Sequence, residues 1–235
     1  MALKKSIFVL AFFITLFLFL SILVLGNFLG DQRQAIIDKD TQQTYNSLNE
    51  MQTFSMMADT YGSQMACLAF SSKLQDLDKD LWNLGLKLDQ YRAASEEFRT
   101  DPYYQQQKAT FNDNEVMYLV LLRKLKETCN YNQAIVLFFY RNSNVCTKCD
   151  DQSFVLTDIN LLVQKEPSKE VSIFSFDADL NITSINLLEK YYNISEYPCT
   201  VVEDKVFCGM QDKSFVLKQI CSAGPSLSIC NNSSN

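Results

Sequence analysis

From Ser6 to Gly26 the chain is almost wholly apolar, broken only by Ser6, Thr15 and Ser21. About 20 residues of helix cross the hydrocarbon of a bilayer, so this stretch has the length and composition of a transmembrane helix. The apolar region of a cleavable signal peptide is shorter, roughly 7–15 residues, and ends in a small-x-small site. The run Leu25-Gly26-Asn27-Phe28-Leu29-Gly30 offers no clean site of that kind, which favours an uncleaved anchor contacting membrane lipid. Lys4 and Lys5 precede the span, and the first basic residue after it is Arg33. That bias predicts a single-pass protein with a cytoplasmic N-terminus and everything after residue 27 outside the cytoplasm.

Eight cysteines and no histidine occur in the 235 residues. An even, high cysteine count suits an oxidising compartment, in agreement with the topology. Without histidine there is no His-based triad, haem ligation by His or common catalytic zinc site, which leaves thiol, carboxylate, Lys and Tyr chemistry. A net charge of −6 supplies no basic footprint, so nucleic acid is not an expected partner. Hydrophobic residues at 47% and aromatics at 12% support a packed core.

After the anchor, residues 28–62 are polar with scattered Leu48, Met51, Phe54 and Met57, spaced by three. They read as a helix continuing from the membrane, its methionines used for packing rather than for metal. Over residues 63–92, Cys67, Phe70, Leu74, Leu77, Leu81, Leu84, Leu88 and Tyr91 recur at alternating steps of three and four. This is a coiled-coil-like seam, ended by Thr100-Asp101-Pro102. A second helix is predicted over 105–128, with Phe111, Tyr118, Leu122, Leu125 and Cys129 on one stripe. An antiparallel hairpin turning near residue 98 places Cys67 opposite Cys129, which predicts a disulfide between them. Two buried free thiols are the alternative.

At Asn130 the pattern changes to strands alternating with helices. Residues 135–140 read as a buried strand, 150–164 as a helix, 169–177 as containing a strand, and 183–192 as a helix. Residues 199–202 and 205–208 read as a hairpin turning at Glu203-Asp204, followed by a helix over 214–220. Crossover helices imply parallel pairing of the first two strands, and the short turn implies antiparallel pairing of the last two. Between the first strand and its helix lies Cys146-Thr147-Lys148-Cys149. That spacing puts two sulfurs at the first helical turn, close enough to bond, with the first at the positive end of the helix dipole, where thiolate is favoured. Alone, the motif is also half of many zinc sites.

Taken together, residues 130–221 resemble a thioredoxin-like domain. The resemblance rests on the strand Ile135–Tyr140, on Cys146-Thr-Lys-Cys149 before a helix, and on Tyr192-Asn-Ile-Ser-Glu-Tyr-Pro198 before a hairpin. Thioredoxins carry a Tyr-Gly-Ile-x-x-x-Pro stretch in that place, and its proline is cis. The resemblance implies that Cys146 is the attacking thiol and Cys149 the resolving thiol, with no metal or organic cofactor. It also implies that Pro198 is cis and packed against the pair, and that Tyr197 offers its backbone to an extended substrate strand. Departures are Val145 where thioredoxin has Trp, Phe138 near the position of its buried Asp, and Cys199 where Thr is common. Asp150 and Asp151 follow the motif; they suit a helix start but oppose a thiolate.

With Glu203-Asp204 as the central turn residues, Cys199 faces Cys208, a feasible cross-strand disulfide. A third redox thiol, a zinc cluster with Cys146 and Cys149, or buried thiols are the rivals. Cys221 and Cys230 flank a small tail loop and form the last structural pair. Asn-x-Ser/Thr sequons at Asn181, Asn193, Asn231 and Asn232 fit an external domain. The expected architecture is a stub and transmembrane anchor (1–27), an extracytoplasmic helical hairpin (28–129), a thioredoxin-like α/β domain (130–221) and a tail (222–235). The expected activity is thiol–disulfide exchange on extracytoplasmic proteins, an arrangement that admits a redox partner in the membrane. A non-catalytic assembly module with structural disulfides, and metal handling by the cysteines, are the alternatives.

Overall fold

The computed structural model describes residues 2–142, 144–164, 170–224 and 227–231, and the chain divides into two compact units, Met1–Asp40 and Thr41–Asn235. The described residues of the first unit lie in helix α1 (Ala2–Tyr61), the one helix among the described residues long and apolar enough to cross a membrane. From Phe8 to Leu29 nearly every side chain is exposed. The hydroxyls of Thr15 and Ser21 donate back to the carbonyls of Phe12 and Phe17 at 2.9 and 2.8 Å. The helix thereby satisfies its own few polar groups, as an apolar medium demands.

In the second unit, α1 from Thr41 onward packs with α2 (Ser63–Ala93) and α3 (Pro102–Cys129). Gly62 separates α1 from α2 at φ 94°, a conformation open to glycine and strained for other residues. The pairs Glu50–Lys73 (3.0 Å) and Gln43–Asp80 (3.3 Å) run α1 antiparallel to α2, whereas Asp59–Lys124 (3.1 Å) and Thr41–Gln107 (2.9 Å) run it parallel to α3. Three helices therefore pack where the periodicity alone indicated a hairpin of two. Leu48 and Met51 of α1 are buried in the same core as Leu74, Leu77, Leu122 and Leu125. The seam from Phe70 to Tyr91 is buried throughout. Helix α3 starts before Gln105 because Asp101 caps it, accepting the Tyr103 N–H at 3.1 Å, and Pro102 fits the first helical position. It stops where Asn130 turns left-handed at φ 50°.

The remaining elements are β1 (Ala134–Tyr140), α4 (Cys149–Val163), β2 (Val171–Asp177), α5 (Thr183–Tyr191), β3 (Cys199–Val202), β4 (Lys205–Cys208), α6 (Lys213–Ala223) and α7 (Ser228–Asn231). They form a small mixed sheet in the order β2-β1-β3-β4. As expected, β1 and β2 are parallel, and β3 and β4 form a hairpin with Cys199 opposite Cys208. Strand β3 also pairs antiparallel with β1. Side chains alternate across the sheet. Ile135, Leu137, Phe139, Phe174, Phe176 and Val201 share the core of the three long helices and α5. Val136, Phe138 and Val202 meet α4 and α6 through Leu156, Ile159, Val216 and Ile220.

Helix α3 also binds the sheet through polar groups. Its Glu115 and Asn112 accept the backbone N–H groups of Ser175 (3.1 Å) and Asp177 (2.9 Å) on the outer edge of β2. Its Lys126 pairs with Glu203 at 2.7 Å, and the same Glu203 oxygen accepts the Ile135 N–H at 2.9 Å. Arg123 reaches Asp204, the Glu203 carbonyl and the Tyr192 hydroxyl. Burial pushes Tyr192 up to about 12, against the opposing pull of Arg123.

All four cysteine pairs expected from the spacing are at disulfide distance: Cys67–Cys129, Cys146–Cys149, Cys199–Cys208 and Cys221–Cys230. In the Cys221–Cys230 loop, Pro225 and Ser226 lie outside the described residues. Of the sequons, Asn181 and Asn193 are exposed, the side chain of Asn231 is not among those described, and Asn232 lies outside the described residues.

Two outcomes follow for stability. Cys67–Cys129 closes a loop over a sequence separation of 62, and constraining the unfolded chain over that length is worth about 4 kcal/mol. Replacing both by Ser is expected to lower the unfolding free energy in guanidinium titrations by that order. Burial holds the Glu115 carboxyl well above the usual range, against a lowering contribution from the Ser175 N–H. The native state thus keeps a proton that the unfolded chain releases near pH 4.5, so native stability falls as pH rises from there through the folded pKa. Glu115→Gln lacks that loss, and its denaturation midpoint is expected to gain on the wild type between pH 4.5 and 7. A constant difference across that range counts against the assignment.

Candidate functional site

Strand β1 delivers the chain to the motif. Beyond Tyr140, the Asn142 carbonyl accepts the N–H groups of Val145 and Cys146, both at 2.9 Å, which curls the backbone into a turn. Asn142 is itself held by Asp179, which accepts its N–H at 2.7 Å. Cys149 opens α4, and its N–H donates to the Cys146 carbonyl at 3.3 Å. Cys146 therefore sits in the turn before the helix rather than within its first turn. The two Cα atoms are 5.4 Å apart, and the residues are 5% and 2% exposed. The Arg141 N–H points at Cys149 Sγ, 3.5 Å away.

Asp150 and Asp151 occupy the first turn of α4, where carboxylates complement the helix dipole. Lys148 pairs with Asp151 at 3.6 Å, with both side chains mostly exposed, so the pair contributes little to stability. Val145, beside Cys146, is 69% exposed.

Tyr197 and Pro198 are brought to the same end of the sheet. Phe139 pairs with Cys199, so continuing that antiparallel register sets Pro198 opposite Tyr140 and Tyr197 opposite Arg141. The Tyr197–Pro198 peptide is cis. The Pro198 carbonyl accepts the Gly209 N–H at 2.8 Å, and two residues on the Gln211 N–H donates to Gln152 Oε1 at 2.6 Å. Gln152, fully buried, lies one turn into α4 from Cys149. The Arg141 guanidinium stacks on the Tyr197 ring at 4.7 Å and pairs with Asp179 at 3.7 Å. The Tyr197 hydroxyl donates to Glu189. Burial first, and then Glu189, push the Tyr197 hydroxyl upward, while Arg141 draws it down.

The other cysteines divide by position. Cys199–Cys208 lies at this end of the hairpin, adjoining Pro198, with Cys199 fully buried. Cys129 precedes β1 and so sits with Cys67 toward the opposite end of the sheet. Cys230 follows Ser228, whose N–H donates to Glu170 just before β2, and belongs to that opposite end as well. Among the described residues no three Cys, Asp or Glu side chains group as metal ligands.

Several residues of this arrangement carry no motif. Arg141 could have been noticed as a charged residue ending a buried strand beside the cysteines. Glu115 left a clearer trace: it falls on the apolar stripe between Phe111 and Tyr118, where a carboxylate is out of place. Gln152 left none, since its role depends on a loop distant in sequence. No protein-family model matches this chain, and no curated protein matches it.

Proposed function

We propose that the chain is a membrane-anchored thiol–disulfide oxidoreductase whose thioredoxin-like domain, residues 130–221, acts on proteins outside the cytoplasm. The observation that carries the reading is the placement of Cys146–Cys149, at the start of α4, at the same end of the sheet as Tyr197–Pro198. The order of elements from β1 to α6 supports the same reading.

In the dithiol form, the Cys146 thiolate attacks a substrate disulfide, forms a mixed disulfide and releases one substrate thiolate. Cys149, as thiolate, then attacks the Cys146 sulfur and expels the second substrate thiolate, leaving the Cys146–Cys149 disulfide. The reverse sequence oxidises a substrate dithiol. On this reading Cys146, which precedes the helix, is the attacking group, and Cys149, which opens it, is the resolving one. Tyr197 takes no backbone hydrogen bond among the described residues, so its N–H and C=O are placed to pair with an extended substrate segment. Val145, next to Cys146, and Met210, next to the Gly209 that donates to the Pro198 carbonyl, are 69% and 41% exposed and offer apolar contact at this end of the sheet. Helix α1 anchors the domain through residues 6–26, with the N-terminus cytoplasmic, and the disulfides fit the oxidising side.

A non-catalytic role for the same fold is favoured by one observation, the burial of Phe138 near where the family carries its acid. Replacing Cys149 by Ala and trapping mixed disulfides in membranes separates the two readings. An oxidoreductase accumulates adducts that vanish when Cys146 is also replaced. An absence of adducts, with a wild-type Cys146–Cys149 bond that resists mild reductant, overturns the exchange reading. Independently, alkaline extraction of membranes is expected to leave the full chain in the pellet and to release one beginning at Thr41. Release of both overturns the anchor.

A further inference from the structure

Helices α2 and α3, helix α4 and the β2 side of the sheet enclose a cavity of about 460 Å³. Glu115, Tyr118, Phe138 and Phe174, all buried, form its inner wall together with Cys149. Leu86 and Phe154, 40% and 74% exposed, mark its rim between α2 and α4. Such a volume lies within the range of small-molecule sites, and its lining combines apolar and aromatic side chains with polar and charged ones, among them Asp78, Asp89, Arg92, Lys108 and Asp150.

Two polar groups stand in the inner wall, the Tyr118 hydroxyl and the carboxyl of Glu115, which is 6% exposed. Its Oε1 accepts the Ser175 N–H, but Oε2 has no hydrogen-bond partner among the described residues. A buried oxygen left unpaired carries a desolvation cost that a ligand's hydrogen bond offsets. Burial favours the protonated carboxyl, which is a donor as well as an acceptor. Two cations of the lining already meet anions, Arg92 with Asp89 at 3.6 Å and Lys108 with Asp177. An anionic ligand would therefore compete with existing pairs, whereas a neutral one need not.

We propose that this cavity binds a neutral aromatic molecule bearing a carbonyl or hydroxyl oxygen, with the oxygen on Glu115 and the ring among Trp82, Phe111, Phe138 and Phe154. Rings meeting at offset or edge-on angles contribute beyond the area they bury. Cys149 forms part of the wall, so the occupant lies against one member of the Cys146–Cys149 pair. Binding at this site does not require that the pair exchange disulfides.

Trp82 is the only tryptophan in the sequence and lines the cavity, so its fluorescence reports occupancy. The full chain in lipid nanodiscs is titrated with acetophenone, a neutral aromatic ketone, and with benzoate, which carries the same ring and a charge. Quenching by acetophenone is expected to saturate, and quenching by benzoate over the same range is not. Glu115→Leu, which removes the polar contact, and Thr157→Phe, which fills the cavity from α4, should each weaken acetophenone by about tenfold. Glu115→Gln, which retains a donor and an acceptor, should stay near the wild type. Thr157→Phe leaves the Ser175 contact intact, so it tests the site even if Glu115→Leu fails to fold. Non-saturating quenching equal in all forms overturns the proposal, as does saturable binding of benzoate with equal strength. Unchanged acetophenone affinity in a folded Glu115→Leu or Thr157→Phe variant also overturns it.

Discussion

The outer edge of β2 is the constraint on which the rest of the second unit depends. Strand β2 ends the sheet, so every second N–H points away from β1 and needs a partner. A further strand would supply carbonyls. Here a helix stands in that place, and Glu115 and Asn112 of α3 take the N–H groups of Ser175 and Asp177. Side-chain acceptors at a helical spacing of three thus match a strand spacing of two. The match fixes the register of α3 on the sheet and closes an edge that would otherwise invite another chain. At the other side of the sheet, Arg123 and Lys126 hold the β3–β4 turn. One helix therefore ties both flanks of the sheet to the three-helix core, and Thr41–Asn235 forms one unit.

The disulfides reinforce that division of labour. Cys67–Cys129 joins the start of α2 to the end of α3, and Cys221–Cys230 joins α6 to α7. Both lie toward the end of the sheet where β1 and β2 begin. The remaining two pairs lie where β1 ends and β3 starts, and one of them spans only three residues in sequence. A bond over so short a loop constrains the unfolded chain little. On the proposed reading, its place at a helix start, with a backbone N–H on one sulfur, serves chemistry rather than reinforcement.

Much of this was legible because it depends on local periodicity. The seam from Phe70 to Tyr91 repeats at helical spacing, and all of it is buried. The register of the hairpin followed from a two-residue turn, since Glu203-Asp204 leaves one pairing that sets Cys199 against Cys208. The pairing of Cys67 with Cys129 followed from the same arithmetic applied to two helices. What stayed hidden depends on contacts between distant segments. Leu48 and Met51 gave a weak pattern, and nothing local indicated that α1 folds back along α2 and α3. Gln152 reads as an ordinary exposed residue at a helix start, yet it is fully buried, bonded to Gln211. Glu115 is the instructive case, because a carboxylate on an apolar stripe is a local sign whose meaning lies in a strand some 60 residues away.

A protein without histidine must run thiol chemistry with other groups. On the proposed reading, the Cys146 thiolate cannot be prepared by an imidazole, and Phe138 stands near the place of the family's acid. The stabilising groups left are the N-terminal N–H groups of α4 and the charge on Lys148, which Asp151 partly neutralises. Asp150 and Asp151 oppose them. Cys149 receives the Arg141 N–H, so the backbone favours negative charge on the inner sulfur as well. Arg141 then does two jobs: its main chain addresses the cysteine pair while its side chain stacks on Tyr197, the residue proposed to receive substrate. On the proposed reading, a shift of that one residue would disturb both the resolving sulfur and the docking edge.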